Sequence, residues 1–173
     1  MTGVPMLLDD GRRIAFRPIV GADTDALIAM HDRLSEQSVR RRFLSLLPHL
    51  PRPQADHFTH VDGVQRVAFV AEAPDGRLVA VGRYDRLPDG HTAEFAVVVE
   101  DSHQKHGIGT ALVSRLREHA VAHGVDHFVA EVAADNGPML AALHDAGLSF
   151  TATYEYGVAT LDIPLPRPAA TPA

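Results

Sequence analysis

Apolar and polar residues alternate through RRIAFRPI, which predicts a first β-strand ending at Pro18. From Gly21 the spacing changes. Leu27, Met30 and Leu34, then Val39, Phe43 and Leu46, recur at helical intervals, predicting two helices divided near Ser35 to Ser38, with Asp23 or Thr24 as the first cap. The stretch LPHLPRPQ reads as a loop, and Gln54 to Val61 as one short helix. Two apolar runs then flank Pro74-Asp75-Gly76, a hairpin turn, and a second turn at Pro88 to Gly90 leads into TAEFAVVVE. The unbroken apolar centre of that last run predicts a strand covered on both faces. These three strands should form an antiparallel meander.

The pattern returns to helical spacing after HQKHGIGTAL, giving a helix over about Gly107 to His123 that Gly124 closes. DHFVAEVAA is the next strand, and the helix between it and TAEFAVVVE makes the pair parallel through a right-handed crossover. A short helix in NGPMLAALHDAG ends at Gly147, and LSFTATYEYGVATLDIPL supplies two final strands. The sum is a mixed α/β domain over residues 1–163, a mostly antiparallel sheet of about seven strands with one parallel pair. Residues 164–173, rich in Pro and Ala, are expected to be a mobile tail.

Composition narrows the chemistry. With 173 residues, one domain is expected. The formal charge of −6 argues against general nucleic-acid binding, which rests on cations neutralising phosphates. No apolar stretch reaches membrane-spanning length and no signal peptide is legible, so no membrane partner and a cytoplasmic location are expected. Without cysteine there is no thiolate metal site. His119 and His123 lie four apart on a helix but lack a third ligand at useful spacing, so no metal is expected. VRRRF, Val39 to Phe43, could grip an anion, but a solvated helix face is the expectation.

The glycine loop fits neither common nucleotide loop. Gly109 is followed by Thr110-Ala111 where a triphosphate loop needs Lys-Ser/Thr, and Leu112 stands where the dinucleotide fingerprint needs a third glycine. What remains is a strand, a turn and a helix start. Its free N–H groups, about Lys105 to Thr110, favour a phosphate, and Gly107 and Gly109 let the oxygens approach the backbone. Glu94 is the polar residue that stands out in the preceding strand, because a carboxylate in a covered strand needs a partner or a role. A salt bridge at a strand end is the plain account of it. A general base is the chemical one.

EFAVVVEDSHQKHGIGTALVSRL resembles the central motif of the GNAT superfamily of acyl-CoA-dependent N-acyltransferases, Q/R-x-x-G-x-G/A, here at Gln104, Gly107, Gly109 and Thr110. The order of elements over about residues 13 to 163 is similar too. The resemblance implies a sheet with helices on both faces, splayed at its parallel pair, and acetyl-CoA or another short acyl-CoA as co-substrate. Gln104, Lys105, His106, Gly107, Ile108, Gly109 and Thr110 would take the pyrophosphate. Val97, Val98 and Val99 would take the pantetheine arm, and Asn136 would touch the cofactor or simply cap its helix.

The segment around Glu94, with SEQSVRRRF, is most similar to the acetyltransferase domain of bacterial protein lysine acetyltransferases, the kind that modifies acyl-CoA synthetases. That likeness implies Glu94 as catalytic base and a protein lysine as the amine acceptor. Two features depart from it. The helix after Asn136, MLAALHDAG, has no tyrosine to protonate the departing thiolate, leaving only His144 nearby, and the chain is expected to have no room for the regulatory domain that such enzymes often carry. Glu100 and Asp101 read as solvated loop acids. A small-molecule amine acetyltransferase and a non-catalytic acyl-CoA sensor remain as alternatives.

Overall fold

The alternating stretch at the start has a partner that its own pattern does not announce. In the computed structural model, which describes residues 3–166, strand β2 (Arg13–Pro18) pairs antiparallel with a four-residue strand β1 (Val4–Leu7). β1 is mostly exposed and contains Pro5, so it shows no apolar alternation, and as an edge strand it can carry a proline that a central strand could not. The sheet therefore has eight strands where the sequence pattern gave about seven.

A single 3-10 turn, Gly21–Asp23, leads into α1 (Thr24–His31), followed by α2 (Glu36–Phe43) and α3 (Arg52–Thr59). Asp23 precedes α1 as expected but does not cap it. Its carboxylate accepts hydrogen bonds from Arg17 at 2.7 and 2.9 Å and from the Val20 amide, tying β2 to the helix entry. The meander follows as β3 (Arg66–Glu72), β4 (Leu78–Arg86) and β5 (Thr92–Val99), all antiparallel. Then come α4 (Ile108–Ala122), β6 (His127–Ala133), α5 (Gly137–Asp145), β7 (Thr151–Glu155) and β8 (Val158–Pro164). The strand order is β1-β2-β3-β4-β5-β6-β8-β7.

Alternate residues of β3 divide between two apolar layers. Val67 packs with Leu116 of α4 and Leu143 of α5, whereas Ala68 and Val70 pack with Leu27 and Met30 of α1 and Ala55 of α3. Helices thus cover both faces. Gly82 of β4 is needed where α4 crosses, since a Cβ there would stand 2.9 Å from Leu116 Cδ1.

The parallel pair is short. Thr92, Ala93 and Glu94 pair with His127, Phe128 and Val129. From Phe95 onward β5 keeps only β4 as a ladder partner, while β6 runs on beside β8 to Ala133. The sheet splits immediately after Glu94. At the other end β8 extends to Pro164 and Leu165 is buried, so the fold continues past the expected boundary at 163; the remainder of the expected tail, 167–173, lies outside the described residues.

Candidate acetyl-CoA site

Above the split, a set of short polar contacts fixes the segment that leaves β5. Ser35 caps α2 by accepting from the Ser38 amide. Asp101 accepts in turn from the Ser35 amide at 2.9 Å, Ser35 Oγ at 2.7 Å and Ser38 Oγ at 2.9 Å. Partial burial pushes the Asp101 carboxyl up, but these bonds together outweigh it and hold it below the usual carboxylate range. Glu100 is buried and 3.2 Å from Arg33. Glu100 is thus not the solvated loop residue expected from the sequence, whereas Asp101 is exposed as expected but tied to the start of α2. Gln104 Nε2 then donates to Ser38 Oγ and to the Val99 carbonyl at 3.0 Å, pinning the start of the loop.

The loop itself turns through two left-handed residues, Lys105 (φ 65°) and Gly107 (φ 78°). Only glycine takes such a φ without strain, which accounts for Gly107 as the N-cap of α4. The amides of residues 105 to 110 have no hydrogen-bond partner among the described residues, and the first helical bond runs from the Ala111 amide to the Gly107 carbonyl. Unpaired donors at a helix N-terminus and in a turn of this kind form an anion site.

These donors border a cavity of about 380 Å³ between α2, the free part of β5, the loop and α5. Val97, Val98, Val99, Gln104, Lys105, Gly107, Gly109, Thr110 and Asn136 line it. Asn136 does two things, since its side chain also accepts from the Met139 amide as cap of α5. Two residues of the loop turn their side chains elsewhere. Ile108 is buried among Leu8, Ile14, Phe16 and Leu112, and His106 meets Asp9 and Asp10. Glu94 lies outside the cavity wall and is exposed, not partly buried as the sequence argument supposed. The alternation of β5 turns Ala93 and Phe95 into the core and Glu94 away from it.

Several wall residues were not foreseen. Ser38, Arg41 and Arg42 stand at i, i+3 and i+4 on one face of α2 and line the cavity. The arginine run is therefore not simply a wet face, although Arg40 alone fits that description, half-exposed and paired with Asp135 at 3.0 Å. Arg41 donates to the Asp135 carbonyl, and its Nε is buried with no partner among the described residues. Arg42 lies over the Phe43 ring at 4.8 Å. Burial, then the nearby Arg83 charge, pulls its guanidinium down to about 10 against the opposing carboxylates of Glu94 and Asp85. The spacing of Ser38, Arg41 and Arg42 was the available signal. His103 also lines the wall, and burial, then the Arg12 charge, pushes its pKa down.

The comparisons with known proteins agree with this geometry. The model of the acetyltransferase (GNAT) family matches residues 30–148. The GNAT domain of S. lividans PAT superposes with a TM-score of 0.86 at 32% identity, covering 94% of this chain and 97% of that one. An acetyltransferase of Pseudomonas aeruginosa is 31% identical over 68% of this chain, and acetyltransferase Pat of Mycolicibacterium smegmatis is 29% identical over 80% of it. The chain belongs to the GNAT acetyltransferase family. It spans 64% and 42% of the lengths of those last two relatives.

As a GNAT acetyltransferase the protein takes its acetyl group from acetyl-CoA. That molecule asks three things of a site: donors for a diphosphate, main-chain partners for an amide-bearing arm, and room for a thioester. The free amides of 105 to 110, with Arg41 and Lys105 lining the same cavity, can meet the first, and the unpaired side of β5 beyond Glu94 can meet the second. No tyrosine lines the cavity: Tyr84 is buried against His119, and Tyr154 and Tyr156 are exposed. His144 is exposed beside Asp145. Among the described residues, no helix is long and apolar enough to cross a membrane.

Proposed function

We propose that the protein transfers an acetyl group from acetyl-CoA to a protein lysine side chain in the cytoplasm, with Glu94 as general base. The observation that carries this reading is the place where the sheet splits. Glu94 is the last residue of β5 in the parallel ladder, so an arm laid along Val99, Val98 and Val97 brings its thioester toward that carboxylate. The diphosphate is held by the loop amides of 105 to 110, and Asn136 borders the far wall.

A lysine amine has a pKa near 10.4, so at pH 7 its nucleophilic form costs about 4.6 kcal/mol to reach. Glu94 accepts that proton, directly or through water, as the nitrogen attacks the thioester carbon. The C–S bond then breaks and CoA leaves as a thiolate, whose pKa near 8.5 asks little of a general acid. The choice of acceptor follows from exposure. Glu94 faces solvent, and Asp85, opposite it in register, is held by Arg83 at 2.9 Å with its side chain 41% exposed, so the approach to Glu94 is open enough for a lysine on the surface of a protein. The likeness to S. lividans PAT and M. smegmatis Pat supports the same acceptor class, and an acyl-CoA synthetase is the first acceptor to try.

The test is incubation with acetyl-CoA and either bacterial lysate protein or a panel of polyamines, aminoglycosides and amino acids, following thiol release and lysine acetylation together. The reading expects lysine acetylation with little release from the panel. It also expects Glu94→Gln to lower kcat by roughly 10²- to 10⁴-fold with CoA affinity nearly unchanged. Efficient turnover of a small amine alone would overturn the acceptor, and full activity in the Gln variant would overturn the base.

A further inference from the structure

The turn between β1 and β2 lies far from β5 in the strand order, yet it touches the phosphate-binding loop at two points. Arg12 is held by Asp10 at 2.6 Å and donates from Nη1 to the Ser102 carbonyl at 3.1 Å. His106 bonds Asp9 through Nδ1 and faces Asp10 from Nε2 at 3.5 Å. The two contacts bracket residues 103 to 105, and an apolar contact adds to them: a Cβ on Gly107 would lie 3.5 Å from Met6 Cε. Leu8, buried at the start of the turn, packs in the same cluster as Ile108. The turn is set by the Leu8 amide bonding to the Arg12 carbonyl and by Gly11 at φ 84°.

We propose that the β1–β2 turn is a clamp that holds the glycine loop in its anion-binding conformation, with Asp9, Asp10 and Arg12 as positioning residues and His106 as the point of attachment. The loop needs such support. Lys105 sits at positive φ, which costs a non-glycine residue free energy, and the loop's own amides are unpaired and cannot stabilise the turn. The side chain of His106 is turned from the cavity to the hairpin, so the residue links the two. His106, Asp9 and Asp10 also place ligand atoms within 4.8 Å of one another. The imidazole already bonds Asp9 and Arg12 already bonds Asp10, so the carboxylates are satisfied by side chains of the loop and the turn.

The inference rests on residues 105 to 110 holding the diphosphate. The experiment compares wild type with Asp9→Ala/Asp10→Ala and Asp9→Asn/Asp10→Asn. It measures CoA affinity by calorimetry, pantetheine affinity by NMR titration, and Tm. The clamp predicts that the alanine pair weakens CoA about three- to tenfold, in keeping with partly exposed ion pairs. Pantetheine, which lacks the diphosphate, should bind unchanged, and the asparagine pair should recover most of the loss. Unchanged CoA affinity, equal weakening of both ligands, or weakening of wild-type CoA binding by EDTA would overturn it, the last by making the three side chains a metal site. If Gly109→Glu abolishes CoA binding while the alanine pair does not, only the clamp fails; if neither variant changes it, the loop reading fails as well.

Discussion

Arg41 shows how a single side chain can be set for a ligand. Its side chain lines the cavity and its Nε is buried without a partner among the described residues, and an unmet buried donor is costly unless something fills it. Arg41→Ala should therefore raise KM for acetyl-CoA about tenfold with kcat little changed, the effect of losing one charge-assisted bond; steady-state kinetics at varied acetyl-CoA checks it, and an unchanged KM would leave Arg41 a structural residue only. Asp101 acts on stability. Its carboxyl titrates below the usual range, so its contribution is present above about pH 3.9 and is lost as pH falls through the lower folded value. Urea melts between pH 5 and pH 2 should show a shallower loss of stability in Asp101→Asn than in wild type, and equal slopes would refute the assignment. Glu94, by contrast, was named correctly as the polar residue of β5 but wrongly as a partly buried one. Alternation along a strand says which residues share a face, and says nothing of whether a neighbouring helix reaches far enough to cover that face.

At the level of elements, α2 matters most, because it joins the end of β5 to the cavity. Its cap is Ser35, whose side chain serves both Ser38 and Asp101, so Ser35→Ala should cost about 1–2 kcal/mol and lower Tm by a few degrees, as thermal unfolding will show. α4 is anchored differently. Leu112 is fully buried under the loop, and Leu112→Ala should cost about 2–5 kcal/mol by the cavity it leaves. The meander, the loop and the helix after it were all legible, since PDG turns, apolar runs and Gly124 mark their limits within the local sequence. β1 was not. Four residues, all apolar and one of them proline, show no alternation and carry no periodic signal, and their strand character comes from pairing with β2. The cavity side of the arginine run was hidden for a related reason: a charged helix face is wet or lines a site according to what stands opposite, here β5 and α5.

The whole molecule works by dividing one sheet. β5 holds β4 throughout and β6 only through Glu94, so the same strand belongs to the core at one end and offers an unpaired edge to a ligand at the other. The parallel pair could be inferred from the crossover helix, and the position of the split only from the register. Two layers of helices keep the halves from collapsing together, with α4 and α5 on one face and α1 and α3 on the other. Acetyl-CoA binding through the loop at the head of α4 is the claim on which the mechanism, the clamp and the role of Arg41 all depend. Its most direct test is calorimetric titration of CoA into wild type and Gly109→Glu. A Cβ at 109 meets nothing closer than 3.7 Å, so the glutamate can project into the site without breaking the helix. The account predicts a folded variant with wild-type Tm and no measurable CoA binding; equal affinity in the two proteins would contradict it.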